Sequence, residues 1–267
     1  LLQAGTNLAR LNFSHGTPEE HINRAQLIRK ISKELDLKVG ILADLQGPKI
    51  RISKFKNNKA LLEEGQAFYL DADLDKNAGT QTEVGIDYHD LPQDVKPGDR
   101  LLLDDGRLVL SVKRINGSRI ECLVEVGGEL SSNKGINRAG GGLSAKALTD
   151  KDKADIVTAI QLGANYIAVS FPRNASDIQE ARELVHQAGG DCAIIAKIER
   201  QEAIENIEAI INESEAVMVA RGDLGVEIGD AELPAQQKQI IQRCRALNKA
   251  AITATQMMES MIHNAIP

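Results

Sequence analysis

Ala193-Ile194-Ile195-Ala196-Lys197-Ile198-Glu199-Arg200 carries four small or β-branched apolar residues straight into a lysine and a glutamate. An unbroken apolar run between helix-like segments fits a strand buried on both faces. Side chains alternate across a strand, so Lys197 and Glu199 share one face and Ile198 takes the other. Charge leaving a buried strand end needs partners or ligands, because isolated buried charge is costly. A second such ending follows in Ala216-Val217-Met218-Val219-Ala220-Arg221-Gly222-Asp223, where a glycine lets backbone approach a ligand closely. Repeated charged strand endings point to an active site at one mouth of a parallel sheet.

Outward from this stretch, strand and helix alternate on both sides of a different middle. Residues 6–13 read as a strand running into the turn Asn12-Phe13-Ser14-His15-Gly16. Thr17 is a helix N-cap, with Pro18 at the first helical position, acids in the first turn, and Ile22, Leu27, Ile28, Ile31 and Leu35 roughly on one face. Residues 39–42 form the next strand, ending at Asp44, which makes a parallel β-α-β unit. From about Ile50 helical periodicity gives way to short β-rich runs separated by Pro97-Gly98-Asp99, Asp104-Asp105-Gly106, Asn116-Gly117 and Gly127-Gly128. Asp-Gly and Asn-Gly between alternating segments are strong hairpin signals, so this is an all-β insertion, ending near the glycine hinge 140–142.

After the insertion, helices over 150–162, 176–188, 203–211 and 235–247 precede strands over 166–170, 193–198, 216–219 and 250–254. The return of strand ends roughly every thirty residues favours an α/β fold of the TIM-type (β/α) barrel over a doubly wound sheet. Only about six strands fit, so an eight-stranded barrel is incomplete in this chain.

Composition sets the outer bounds. A chain of 267 residues buries a full core, and 42% hydrophobic with 26% charged residues is ordinary for a globular protein. The net charge of −6 argues against a nucleic-acid binder. No apolar run approaches the about 20 residues of a membrane span, and no secretory leader is visible. Three scattered cysteines, Cys122, Cys192 and Cys244, read as a reduced, cytoplasmic protein, and the five histidines show no zinc-ligand spacing. Met257, Met258 and Met261 read as core fillers.

The predicted strand ends collect Arg10, Asn12, Ser14, Asp44, Ser170, Lys197, Glu199, Arg221, Asp223 and Thr255. Paired carboxylates with cations and hydroxyls suit Mg²⁺ or Mn²⁺ and a small phosphorylated or carboxylated substrate. Each has a plainer reading. A strand-end aspartate is usually a cap, Arg221 and Asp223 are able to pair with one another, and Lys134 alone is a solvated turn lysine. Lys197 also fits the Schiff-base lysine of an aldolase or an enolate-forming lyase, and the spacing does not separate these.

Longer words of sequence add a resemblance. Ala9-Arg10-Leu11-Asn12-Phe13-Ser14-His15-Gly16, Asp44-Leu45-Gln46-Gly47-Pro48-Lys49-Ile50-Arg51, Ala196-Lys197-Ile198-Glu199, Ala220-Arg221-Gly222-Asp223-Leu224-Gly225-Val226-Glu227 and Thr253-Ala254-Thr255-Gln256-Met257 stand in family order across the chain. The sequence closely resembles the pyruvate kinase family in its bacterial form. The resemblance implies a barrel A domain over residues 1–47 and 146–267, interrupted by an all-β lid, the B domain, over 48–145. A first barrel strand before Leu1, two more after Pro267 and a regulatory C-terminal domain are expected outside this chain. It further implies transfer of the phosphoryl group of phosphoenolpyruvate to ADP, giving pyruvate and ATP in the last step of glycolysis, by a homo-oligomer, commonly a tetramer.

Residue by residue, the resemblance gives Glu199 and Asp223 the divalent ion and Lys197 the phosphoryl group in flight. Arg10 takes the phosphate, the amides of Gly222 and Asp223 take the carboxylate, with Ser170 nearby, and Thr255 lies where the enolate is protonated. Arg51 and Lys134 face the nucleotide. Asn12, Ser14 and Asp44 match the positions that hold K⁺ in many members. Here Leu45 and Lys49 replace the threonine and glutamate of those members. This resembles the K⁺-independent branch, in which a tethered ammonium supplies the charge. Arg138-Ala139-Gly140 departs from a usual proline-glycine pair at the hinge. A catalytically silent fragment is the alternative from a different class.

Overall fold

The computed structural model describes residues 1–263. The chain enters through β1 (Leu8–Asn12), turns, and starts α1 (Pro18–Glu34) at a capping box. The Thr17 side chain accepts the Glu20 N–H while the Glu20 carboxylate accepts the Thr17 N–H, which satisfies two helix-end donors at once. α1 buries His21, Ala25 and Ser32, with Ile22 and Ile28 packed on the core. Leu27, expected on the apolar face, is 56% exposed; with Ile31 and Leu35 it lines an open apolar groove of about 700 Å³ beside β1. The inner stripe of this helix is narrower than its run of leucines and isoleucines implies. β2 (Gly40–Asp44) pairs in parallel with β1 and ends at Asp44, as the sequence pattern implies.

The β insertion builds β3 (Lys59–Leu62), β4 (Ala67–Asp71), β5 (Glu83–Gly85), the short α2 (Leu91–Asp94), β6 (Arg100–Leu103), β7 (Leu108–Asn116), β8 (Arg119–Val126), β9 (Gly128–Ser131) and β10 (Ile136–Arg138). Six of these strands form one sheet in the order β10-β6-β7-β8-β4-β5, and β3 pairs with β9. The Asp104–Gly106 and Asn116-Gly117 turns join antiparallel neighbours, with positive φ at Asp104, Asp105, Gly106 and Gly117. Hairpin twist demands such angles, and these residue types supply them. Phe68, Leu70, Leu101, Leu110 and Ile120 are fully buried here, so the insertion has its own core.

The barrel grammar then returns as α3 (Asp150–Gln161), β11 (Tyr166–Val169), α4 (Ala175–Gln187), β12 (Ala193–Ile198), α5 (Gln201–Glu205), α6 (Ile207–Glu213), β13 (Ala216–Ala220), α7 (Arg221–Ile228), α8 (Leu233–Ala246) and β14 (Ala250–Ala254). One parallel sheet runs β1-β2-β11-β12-β13-β14, with helices against one face: an α/β architecture of an incomplete TIM-type barrel. Ile194, Ala196 and Ile198 face the helices, whereas Ile195 joins Leu42, Ala168 and Met218 on the other side. Alternation therefore sends Lys197 to the inner face. The helix expected over 203–211 is two helices broken at Asn206. α7 follows directly on the charged ending of β13, where the sequence pattern implies no helix, because Gly222 and Gly225 lower helix propensity and mask its pattern.

Met257, Met258 and Met261 are 61, 60 and 42% exposed and do not fill the core. They follow β14, the edge strand of the sheet, which pairs with β13 alone among the described residues. No helix among the described residues is long and apolar enough to cross a membrane.

Candidate active site

Lys197 lies on the inner face near the end of β12, with its ammonium among three oxygens. It donates to Ser170 Oγ at 2.6 Å and forms ion pairs with Glu199 Oε1 at 3.0 Å and Asp44 Oδ1 at 3.2 Å. Ser170 is fully buried and donates its own proton to the Leu45 carbonyl at 2.7 Å, so its lone pair is free to accept from Lys197. Burial pulls the lysine towards neutrality, but the carboxylates of Glu199 and Asp44 outweigh it and raise its pKa. The ammonium is therefore charged and immobile.

Glu199 follows immediately after the strand and is 1% exposed. Its Oε2 accepts the Phe171 N–H at 2.7 Å, and Phe171 sits at φ +55°, a strained value for an aromatic residue. Burial pushes the Glu199 carboxyl up to about 7; Lys197 opposes the shift and the Asp223 charge adds to it. A divalent cation beside Glu199 relieves both its burial and the repulsion from the Asp223 charge. Among the described residues no cluster of three or more His, Cys, Asp and Glu is arranged to hold a metal. A two-carboxylate set completed by substrate and water oxygens is what Mg²⁺ accepts, and Glu199 with Asp223 fits it.

Asp44, at the end of β2, carries the neighbouring charge. Arg10 at the end of β1 donates Nε to Asp44 Oδ2 at 2.6 Å, while its side chain is 53% exposed and half of it faces solvent. Asp44 Oδ1 is buried and has no hydrogen bond of good geometry; the 3.2 Å contact with Lys197 is an ion pair only. Asn12 Oδ1 accepts the Ser14 N–H at 3.1 Å, which shapes the turn after β1. Lys49 does not meet these residues. Its ammonium lies 3.0 Å from Asp223 Oδ1.

On the opposite side, Gly222 and Asp223 form the first turn of α7, directly after β13. The Gly222 N–H points at Thr255 Oγ1 at 3.4 Å, and Thr255 has φ +74°. Arg51 and Lys134 belong to the β insertion and find partners within it: Arg51 donates to the Asn133 carbonyl at 3.0 Å, and Lys134 pairs with Asp104 at 2.7 Å. The turn Asp105-Gly106 of the insertion lines a cleft of about 390 Å³ together with Gly222 and Thr255.

Four further residues of this region receive no role from the sequence alone. Gly47 has φ +66°, and a Cβ there would meet Ser170 Cβ at 2.7 Å, so glycine is required by both torsion and space. Asp152, the fully buried N3 residue of α3, accepts the Gly47 N–H at 3.0 Å. Arg200 is buried over the Phe171 ring and donates to the Leu143 carbonyl at 3.2 Å. Glu227 accepts the Gln201 N–H at 2.9 Å, and burial pushes its carboxyl up to about 7. Arg200 and Glu227 stand in the sequence as single charged residues, one just before a helix and one within a helix, and such residues are too common to be informative.

Buried carboxylates and a fixed ammonium thus gather at the C-terminal mouth of a parallel β/α sheet, the end at which barrel enzymes carry their chemistry. The comparisons narrow this class. The family model described as pyruvate kinase, barrel domain, matches residues 1–267. The chain is 58% identical to the pyruvate kinase of Haemophilus influenzae, 57% to pyruvate kinase II of Salmonella typhimurium and 55% to the pyruvate kinase of Buchnera aphidicola subsp. Baizongia pistaciae. Each alignment covers 100% of this chain and 56% of the relative, so the chain spans about half the length of the curated relatives it matches. This chain belongs to the pyruvate kinase family.

Proposed function

We propose that this chain carries the phosphotransfer site of a pyruvate kinase: phosphoenolpyruvate, ADP and a proton yield pyruvate and ATP. The carrying observation is the Lys197 ammonium held by Ser170, Glu199 and Asp44 at 2.6, 3.0 and 3.2 Å. Phosphoryl transfer is governed by positioning and by charge stabilisation, and a cation fixed before the reaction does not reorganise during it. An oxygen of the ADP terminal phosphate attacks phosphorus as the bond to the enol oxygen breaks. Lys197 faces the charge on the phosphoryl group in flight, and Arg10, with half its side chain free, grips the phosphate. The Gly222 and Asp223 amides at the start of α7 bind the carboxylate, as helix N-termini do for anions. The enolate then takes a proton at its methylene carbon on the side of Thr255, from a water or from the hydroxyl.

Bound Mg²⁺, or Mn²⁺, held by Glu199 and Asp223, supplies the positive charge that lets substrate anions approach these carboxylates. Lys49 beside Asp223 supplies a further fixed charge, which supports activity without K⁺. Arg51 and Lys134 on the β insertion, over residues 48–145, act on the nucleotide phosphates when that insertion closes as a lid and excludes water. A cytoplasmic homo-oligomer, tetrameric as family members commonly are, is the form in which we place this reaction; three buried free cysteines accord with a reducing compartment.

An aldolase reading of Lys197 loses ground because its ammonium is charged and bound by two carboxylates, whereas a Schiff-base lysine must be neutral to attack. ADP-dependent pyruvate formation from phosphoenolpyruvate with Mg²⁺ and no K⁺, on the full natural-length chain, tests the proposal. Turnover is the expected result; its absence, with phosphoenolpyruvate bound, favours a silent binding module.

A further inference from the structure

Arg221 reads in sequence as a strand-end cation suited to a phosphate or to its neighbour Asp223. The structure gives it other partners. From the first position of α7 its guanidinium reaches across the mouth to the end of β14. There Nη1 donates to the carbonyls of Ala254 at 3.4 Å and Thr255 at 2.8 Å, and Nη2 donates to that of Gln256 at 3.1 Å. A planar fork matches three successive carbonyls in a way that a single ammonium does not.

What this grip holds is strained. β13 and β14 stay in register up to Ala220 and Ala254, and the next residue, Thr255, turns to φ +74°. A β-branched side chain disfavours that region, and such a conformation persists only where its surroundings impose it. Its consequence is a contact. Thr255 Oγ1 comes to 3.4 Å from the Gly222 amide, and a Cβ at Gly222 would also meet Oγ1 at 3.4 Å. The hydroxyl thus stands over the amide that opens α7, on the wall of the cleft of about 390 Å³ that Arg221, Gly222 and Thr255 share.

We infer that Arg221 is a positioning residue for the protonation of the enolate: it touches three backbone carbonyls, and it acts through Thr255. The inference rests on the phosphotransfer reading and deepens it, because it separates the proton step from the phosphoryl step. Glu199 and Asp223 do not contact the Arg221 fork in this geometry; Asp223 is paired with Lys49 and Glu199 with Lys197. Loss of the fork therefore affects protonation and spares the divalent-ion site.

The test uses the full natural-length chain with R221M and R221K. Three quantities are read: pyruvate formed from phosphoenolpyruvate and ADP, exchange of the pyruvate methyl hydrogens for solvent deuterium with Mg²⁺ and ATP, and Mn²⁺ affinity by electron paramagnetic resonance. A displacement of about 1 Å at a reacting centre costs on the order of 100-fold, and R221M is expected to lose deuterium exchange on that scale. Mn²⁺ affinity stays unchanged, kcat falls more than KM rises, and R221K lies between. Exchange at the unaltered rate in R221M overturns the inference, as does loss of Mn²⁺ affinity in parallel with exchange. If R221M does not fold, R221K is judged by the same two readouts. An unaltered chain that neither forms pyruvate nor exchanges hydrogens overturns the phosphotransfer reading, and this inference with it.

Discussion

The Lys49 ammonium stands 3.0 Å from Asp223 Oδ1, both side chains only 29 and 27% exposed, and so ties the segment entering the β insertion to the first turn of α7. The cation thus sits beside a candidate metal ligand and away from Asp44, whose charge Arg10 and Lys197 already meet. Activity of the unaltered chain is expected to be the same in K⁺ and in tetramethylammonium. Lys49→Glu, the residue of the K⁺-requiring members, removes the fixed charge and sets two carboxylates together. Its activity is expected to fall by about 10²-fold without K⁺, the scale of losing one pre-set electrostatic group, and to recover in part with it. Steady-state rates in the two salts decide the matter. Strong K⁺ stimulation of the unaltered chain removes the role given to Lys49.

Lys197→Met removes the central cation and leaves Glu199, Asp44 and Ser170 facing one another. The expected loss is about 10²–10³-fold in kcat, with pyruvate formation read directly. Mn²⁺ affinity is expected to hold or rise, because Glu199 no longer shares its charge with an ammonium at 3.0 Å. A variant with wild-type kcat removes Lys197 from the reaction.

Lys197 and Glu199 were legible because strand alternation is a strict period of two: an apolar run ending in charge states which side each charge takes. Hairpin turns were legible for a similar local reason, since Asp-Gly and Asn-Gly are chosen by torsion angle. The partners of Arg221 were not legible. They are backbone carbonyls 33 to 35 positions away, and a carbonyl has no residue type to betray it. The helix α7 hid behind its glycines, and the exposure of Met257 and Met258 follows from sheet-edge position rather than from hydrophobicity. Local chemistry is written in the sequence; which edge or interior a segment meets is decided by the assembled sheet.

Gly47→Ala places a methyl group 2.7 Å from Ser170 Cβ and 3.0 Å from Phe171 Cδ2, at φ +66°. Neither neighbour is the free end of a flexible chain, so the fit is not recovered by rotation. A loss of more than about 2 kcal/mol in unfolding free energy is expected, measured by urea denaturation. Ser170 accepts from Lys197 at 2.6 Å, so the displacement also reaches the site, and kcat is expected to fall. A variant as stable as the parent removes the close-packing argument.

Glu227 joins the β insertion to the barrel from the far side of α7. It accepts the Gln201 N–H, its backbone carbonyl accepts the Gly140 N–H at 3.3 Å, and Arg200, Glu202 and Asn137 surround the carboxyl. Burial raises its pKa from 4.5 to about 7, helped by Glu202 and opposed by the Gln201 N–H, Arg200 and Asn137. The folded chain then holds a proton that the unfolded chain has released across the interval between those values. Its contribution to stability is complete below about pH 4.5 and fades as pH rises through about 7, on the order of 3 kcal/mol in all. Glu227→Gln keeps the shape without the titration. Its stability relative to the parent is expected to climb from pH 5 to pH 8, measured by urea midpoints along a pH series. Glu199 titrates in the same interval in both chains, so the difference between them isolates Glu227. A difference that stays flat with pH places the Glu227 carboxyl in its ordinary range and removes the proton from this joint.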